Sequence, residues 1–364
     1  MSDALKQSVE QVLSAWQDPY AGVSLGAAGA IADLAVDGGA VEASVALGYP
    51  IGRGARSLSD ALRDAVEALP GVERASVSVT AKIASHAVQR NLKPIAGIRN
   101  IIAVASAKGG VGKSTTAVNL ALALAADGAA VGLLDADIYG PSQPRMLGVR
   151  GEQPESPDGK RLKPVVAHGI RTMSIGLLID ETQPMVWRGP MVTQALRQLL
   201  GDTDWGELDY LLVDMPPGTG DIQLTLSQQV PVAGAVVVTT PQDIALLDAR
   251  KGLHMFEKVS VTVLGVVENM STHVCSKCGH EEPIFGSGGG QRMAGETGVP
   301  FLGALPLDIA IREQADSGRP TVVAEPDSAL AAAYFDIARR MTAGLATAQK
   351  DFSRLFPNIV IEES

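Results

Sequence analysis

"SAKGGVGKSTT" occupies residues 106–116, directly after the apolar run "IIAVAS" and directly before an apolar-periodic helical stretch from about Ser114 to Asp127. Gly109, Gly110 and Gly112 let the backbone curl so that successive N–H groups point inward, and a helix N-terminus adds its partial positive charge. Strand, curled turn and helix in that order build a phosphate cradle from the backbone of Ala107 to Gly112, Val111 included. Lys113 is placed to reach β- and γ-phosphates as a point charge, the Ser114 hydroxyl to coordinate Mg²⁺, and Thr115 to add a further phosphate contact. The pattern departs from the usual loop in two ways: Ala107 stands where a first glycine is usual, and a second lysine, Lys108, lies inside the turn.

Outward from this loop, apolar strands alternate with helical patterns: "IIAVAS", "AVGLLD", "YLLVDM", "GAVVVTT", "VLGVVEN" and "FLGALP". That alternation predicts an α/β fold with a mostly parallel, doubly wound sheet over residues 100–364. Ligands of such sheets bind where strands end. Asp214 closes "YLLVD" and is placed to bind Mg²⁺ with Ser114; Gly218 in "MPPGTGD" offers a backbone N–H to a γ-phosphate. Asp135 and Asp137 end "VGLLDAD", and Asp137 is the candidate for orienting an attacking water; helix capping or a turn is the structural alternative for both. Together with Lys113 these carboxylates make a nucleotide-hydrolysing set.

Residues 1–90 read differently. A helix from Leu5 to Trp16, a hairpin at "VDGG", a helix in "SLSDALRDAVEALPGV" capped by Ser57 or Ser59, and a strand in "RASVSVTAKI" predict a small α+β domain. Residues 91–99, with a proline, a glycine and no clear period, read as the linker. An Ala-rich helical pattern covers residues 328–347.

Composition limits the partners. Thirty basic against forty acidic side chains leave a net charge of −10, which disfavours broad nucleic-acid binding and a polybasic membrane patch. No apolar run reaches the roughly 18 residues of a spanning helix, and the first twenty residues lack a basic-then-apolar signal. A cytoplasmic protein is expected. The end, "DFSRLFPNIVIEES", is acidic and carries a single basic residue, Arg354, unlike a basic amphipathic anchor.

The two cysteines of the chain, Cys275 and Cys278, lie in "STHVCSKCGHEE". Two thiolates are half of a four-ligand site, so a symmetric dimer with the pairs on its axis completes either a 4Fe-4S cluster or a Cys₄ zinc site. Zinc within one chain would recruit His273 and His280, although His273 precedes Cys275 by only two residues and makes a cramped tetrahedron. A redox dithiol is a third reading. Trp187 reads as a partly buried anchor and Arg188 as electrostatic or surface; "GSGGGQRMAGETG" reads as a glycine-rich loop leading to a helix. His168 and His254 have no partner in the sequence.

"AKGGVGKST" with its inner lysine resembles the deviant phosphate loop of the MinD/ParA/ArsA class of P-loop ATPases. "DADIYGPSQPRMLG", "WRGPMVTQALRQLL", "DYLLVDMPPGTGDIQLTLSQ", "VVENMS" with the cysteine pair, and "LGALPLDIAIREQADSG" are together similar to the Mrp/ApbC family of iron-sulfur cluster carrier ATPases. The resemblance runs from about residue 98 to residue 322, and the N-terminal unit is similar to the iron-sulfur assembly domain that often precedes it. It implies an ATP-driven homodimer in which Lys108 touches the nucleotide of the partner subunit, Asn269 reads the purine edge, and Asp137 is the switch aspartate. It further implies that Cys275 and Cys278 hold a bridging 4Fe-4S cluster, exchanged with assembly machinery and apo iron-sulfur proteins. The N-terminal unit lacks cysteine and so donates no thiolate to a cluster. A MinD/ParA-like positioning ATPase and a zinc-stapled nucleotide-binding scaffold are the competing readings.

Overall fold

The sheet that carries the phosphate loop has eight strands in the order β13-β10-β9-β4-β8-β5-β7-β6. They are described in a computed structural model covering residues 2–89, 92–179, 189–275 and 277–348. The strands are β4 (Ile98–Ala105), β5 (Val131–Asp135), β6 (Val165–Ala167), β7 (Ile170–Ser174), β8 (Leu208–Asp214), β9 (Gly234–Thr239), β10 (Val263–Glu268) and β13 (Phe301–Ala304). Every pairing is parallel except β6 with β7. The expected doubly wound α/β architecture is therefore present, and all six strands foreseen from the sequence are in it.

Alternation along the central strand explains why helices cover both faces. Ile102 and Val104 of β4 join one apolar core, whereas Ile101, Ala103 and Ala105 join the other. The first core is closed by α3 (Lys113–Ala126) and α11 (Ala329–Ala346), with α4 (Gln143–Met146), α9 (Ile309–Asp316) and α10 (Thr321–Ala324) at its margin. The second is closed by α5 (Gly189–Gly201), α6 (Asp221–Gln229), α7 (Asp243–Lys258) and α8 (Gly289–Thr297). Helix α3 is buried along most of its length, so it carries Ala, Val and Leu where a surface helix would carry charge. Its one interior amide, Asn119, is satisfied at both ends, by the Thr115 carbonyl (2.9 Å) and the Val322 N–H (3.0 Å).

Two hairpins were not foreseen. The β6–β7 pair turns at His168 and Gly169, both at positive φ, and the His168 ring bonds the Gly318 carbonyl at 2.9 Å. A His-Gly pair between short apolar runs is the signal that would have found it. The second hairpin, β11 (His273–Val274) with β12 (Glu281–Glu282), carries the cysteines.

In the N-terminal unit, α1 (Ser2–Ala15), β1 (Ile31–Asp37), β2 (Ala40–Leu47), α2 (Ala55–Glu67) and β3 (Arg74–Ala81) form a three-stranded sheet backed by helices. Strands β1 and β2 turn at Gly38-Gly39 as the sequence predicts. Helix α2 begins at Ala55 after Gly54 without a side-chain cap, so neither Ser57 nor Ser59 caps it; the Ser59 hydroxyl bonds the Val77 carbonyl instead. The unit packs on the far end of α3. Gly52 and Arg53 N–H groups reach the Asp127 carbonyl (3.0 Å) and carboxylate (2.9 Å), and Arg339 of α11 grips both oxygens of the same carboxylate at 2.8 and 3.1 Å. Ala343 of α11 belongs to the N-terminal core, so that one helix serves both units.

Trp187, Arg188 and the acidic tail containing Arg354 lie outside the described residues. Among the described residues no helix is long and apolar enough to cross a membrane.

Candidate nucleotide site and cysteine hairpin

The crevice lies where β4, β5 and β8 end. Lys113, 6% exposed, extends from the first turn of α3 and pairs with Asp214, fully buried at the end of β8; its Nζ is also 3.9 Å from Asp137 and 3.2 Å from the Ser114 hydroxyl. Three of the residues singled out in the sequence thus converge on one lysine. Lys108 is exposed. Gly112 sits at φ 80°, a left-handed backbone that favours glycine, and a β-carbon there would lie 2.1 Å from the Asn269 amide nitrogen, so any side chain would have to displace Asn269. That closeness comes from a hydrogen bond: Asn269, at the end of β10, donates to the Val111 carbonyl at 2.9 Å. The Gly218 N–H donates to the Ser106 carbonyl at 2.9 Å, and the γ-phosphate contact assigned to it requires that bond to open.

Asp135 takes the capping and turn role given above as its structural alternative. It is fully buried, and its two oxygens accept from the N–H groups of Asp137 (3.1 Å), Ser142 (3.0 Å) and Gln143 (3.1 Å) and from the Ser174 hydroxyl (3.1 Å). It therefore pins both ends of the loop that presents Asp137. Burial, reinforced by the nearby Asp214 carboxylate, pushes Asp135 up to about 7, against the pull of these donors. Burial also raises Asp137, with Lys113 opposing and Asp214 adding to the rise. Gln143, which the sequence did not mark, donates from its amide to Asp214 at 2.8 Å and to the Ser114 carbonyl at 3.1 Å.

The cysteines sit at the tip of the β11–β12 hairpin, Cys275 half-buried and Cys278 exposed, both free. The tip is a tight knuckle: Cys275 N–H bonds the His280 carbonyl (2.9 Å) and Gly279 N–H bonds the Cys275 carbonyl (2.8 Å). Backbone N–H groups of Lys277 and Cys278, with the Cys278 side chain, hold the Cys275 thiol below its ordinary value, which favours thiolate. His273 turns its ring toward the Leu307 carbonyl at 2.9 Å, and His280 is exposed. Among the described residues no three His, Cys, Asp or Glu side chains cluster to hold a metal ion. The hairpin's root is firmer than its tip. Glu268, buried beside Asn269, accepts from the Ser271 hydroxyl (2.6 Å) and the Gly288 (3.0 Å) and Gly290 (2.5 Å) N–H groups, tying the glycine-rich loop to the strand end. An acidic residue followed by Asn at a strand end was the missed signal.

Residues 97–342 match the family described as NUBPL iron-transfer P-loop NTPase (ParA), and residues 6–79 match a family of iron-sulfur cluster assembly proteins. The chain belongs to the iron-transfer P-loop NTPases. Within that family it is 58% identical over 285 residues to an iron-sulfur cluster carrier protein of Pseudomonas fragi, covering 78% of this chain and 99% of the relative. It is 49% identical over 340 residues to the carrier protein of Haemophilus influenzae, covering 93% and 92%, and 56% identical over 248 residues to the mouse iron-sulfur cluster transfer protein NUBPL, covering 68% and 77%. A nucleotide-binding protein of Archaeoglobus fulgidus, solved in complex with ADP, superposes with a TM-score of 0.57 at 39% identity, covering 64% of this chain and 90% of that one. The P-loop NTPase membership expected from the loop and its inner lysine is thereby met. In this family member the loop, the aspartate cluster and the cysteine hairpin all lie inside the matched span.

Proposed function

We propose that this chain is an ATP-binding and ATP-hydrolysing carrier that holds a labile 4Fe-4S cluster between two copies of itself and delivers it to apo iron-sulfur proteins. The observation that carries the reading is the open pair of thiols, Cys275 and Cys278, on a knuckle whose root is bonded to the strand end that touches the phosphate loop. One protomer offers two thiolates and a cluster takes four, so twofold pairing completes the set. Exposed ligation by two cysteines per chain suits cargo that must leave.

In this reading the backbone from Ala107 to Gly112 and the Thr115 hydroxyl receive the phosphates, Lys113 exchanges part of its pairing with Asp214 for phosphate oxygens, and Asn269 faces the purine. Lys108 reaches the nucleotide of the partner subunit. Asp137 orients the attacking water, and Gly218 senses the γ-phosphate once released from Ser106. Ser114 and Asp214 are hard oxygen donors beside the same lysine, a set that fits Mg²⁺; the ion, when bound, neutralises charge on the β- and γ-phosphate oxygens. Turnover is slow in this reading, because the chemistry is a switch and, among the described residues, no dedicated strong base stands in the crevice. We take the units as residues 1–90, a linker from 91 that ends before β4 starts at Ile98 instead of running to 99, and the ATPase onward to 364; the chain works in the cytoplasm without membrane or nucleic acid.

Anaerobic reconstitution with iron and sulfide, followed by assay of iron, sulfide and zinc, tests the proposal. About four irons and four sulfides per dimer, lost in Cys275→Ala, are expected. Stoichiometric zinc without iron would replace the carrier with a zinc-stapled scaffold, and neither metal would point to a positioning ATPase. A monomer holding the full metal complement would overturn the shared cluster.

A further inference from the structure

Gln143 is fully buried, and its amide orientation is dictated by its neighbours. Both partners of Nε2, the Asp214 carboxylate and the Ser114 carbonyl, are acceptors, so the nitrogen has to face them. Its Oε1 is left buried without a partner. Its backbone N–H is tied to Asp135, whose carboxylate also receives Asp137 and Ser142. A leucine or methionine would fill this space without stranding a buried oxygen, which is a costly arrangement. The amide therefore has a use that outweighs the cost.

That use follows from how Asp214 divides its oxygens. One is taken by Lys113 and the other by Gln143. We infer that Gln143 is a positioning residue for the divalent cation of the nucleotide site, holding the Asp214 carboxylate in one rotation and locking it to Ser114 through the Ser114 carbonyl. Asp214 and Ser114 are the two groups assigned to the cation under the proposed function, and Gln143, like Lys113, is bonded to both; unlike Lys113 it has no phosphate to serve. Without it, the Asp214 carboxylate is free to rotate about its bond to Lys113, which takes its second oxygen away from the cation while the lysine keeps the pairing it already has. The stranded Oε1 is an acceptor at the same place, suited to a hydrogen donated by a water of the cation's shell. The inference rests on the nucleotide reading and not on the cluster.

The test measures nucleotide affinity in the full chain with a fluorescent ADP analogue, once with Mg²⁺ and once with a chelator. Gln143→Met keeps length and volume, and Gln143→Ala removes both; thermal unfolding reports whether each folds. In the unaltered chain Mg²⁺ tightens binding. In Gln143→Met that gain shrinks about tenfold, the worth of one hydrogen bond to a charged group, while the metal-free Kd stays within about twofold. Mn²⁺ titration followed by electron paramagnetic resonance shows the same loss without nucleotide turnover. An unchanged ratio of the two Kd values in both variants overturns the inference and leaves the ATPase reading standing. Equal weakening with and without Mg²⁺, or failure of both variants to fold, overturns it in favour of a packing role. Absence of any Mg²⁺ dependence in the unaltered chain sinks this inference together with the cation assignment to Ser114 and Asp214, whereas absence of any binding of the analogue sinks the nucleotide reading itself.

Discussion

The two chemically active regions of this protein are built on opposite principles. At the phosphate loop, lysine, aspartates and amide are buried and bonded before any ligand arrives: Lys113 is 6% exposed, Asp214 and Asp135 not at all. At the cysteine hairpin, two residue pairs of ladder support a tip whose Cys278 is exposed. A site that must read one phosphate geometry gains from pre-organisation, since rigid groups lose little freedom on binding. A site that must give up cargo gains from openness. The two meet at consecutive residues, Asn269 bonding the loop and Glu268 bonding the root of the hairpin.

The contrast is most easily broken at the thiols. Cys275→Ala and Cys278→Ala should each abolish cluster retention after reconstitution while leaving ADP affinity within about twofold, because among the described residues no hydrogen bond joins the hairpin tip to the crevice. Parallel loss of nucleotide binding would refute that independence. Next in size, Lys113→Ala should lower ATP turnover at least about 100-fold, and stability by about 3 kcal/mol because it strands the buried Asp214; chemical denaturation separates the two effects. Lys108→Ala, at an exposed position, should leave stability within about 0.5 kcal/mol yet reduce turnover only where the chain is dimeric, read as a lost dependence of specific activity on protein concentration.

Smaller effects sharpen the comparison. Asn269→Ala removes one side-chain bond to the loop and should weaken purine nucleotide binding by about tenfold; the same variant should alter the ATP-induced change in Cys278 alkylation rate if the strand end joins the two regions. The last test is a slope. Asp135 is raised from its ordinary 3.8 to about 7 by burial and by Asp214, with Lys113 and Asp137 also facing it. The folded form then holds a proton that the unfolded chain has released, so the contribution of Asp135 to stability is full below pH 3.8, declines as pH rises toward about 7, and is flat above. Asp135→Asn should remove that part of the decline in urea unfolding followed from pH 4 to 8; an unchanged slope would mean that the four donors keep Asp135 ionised throughout.

What could be read along the chain was what the chain decides locally. The phosphate loop is eleven consecutive residues whose glycines, lysine and serine act on one another through the backbone they share, so spacing alone discloses the cradle. The parallel strands are legible for the same reason: each is buried on both faces and reads as an unbroken apolar run. The β6–β7 hairpin was also local, but its strands were too short to register against the loops around them. The helix cap at Ser57 or Ser59 failed because α2 starts earlier, at Ala55, so that both serines lie inside it, where the Ser59 hydroxyl donates to the Val77 carbonyl of β3.

The sequence by itself determined the order of strands and helices, the place of the phosphate loop and the count of thiols, since these depend on neighbouring residues and on composition. Tertiary structure alone decided that Asp135 also holds Ser174, that Gln143 reaches Asp214 from 71 residues away and Ser114 from 29, and that Asn269 closes on Val111 across 158. A buried polar group must find its partner wherever folding brings one, and sequence distance carries no information about which donor and acceptor will meet.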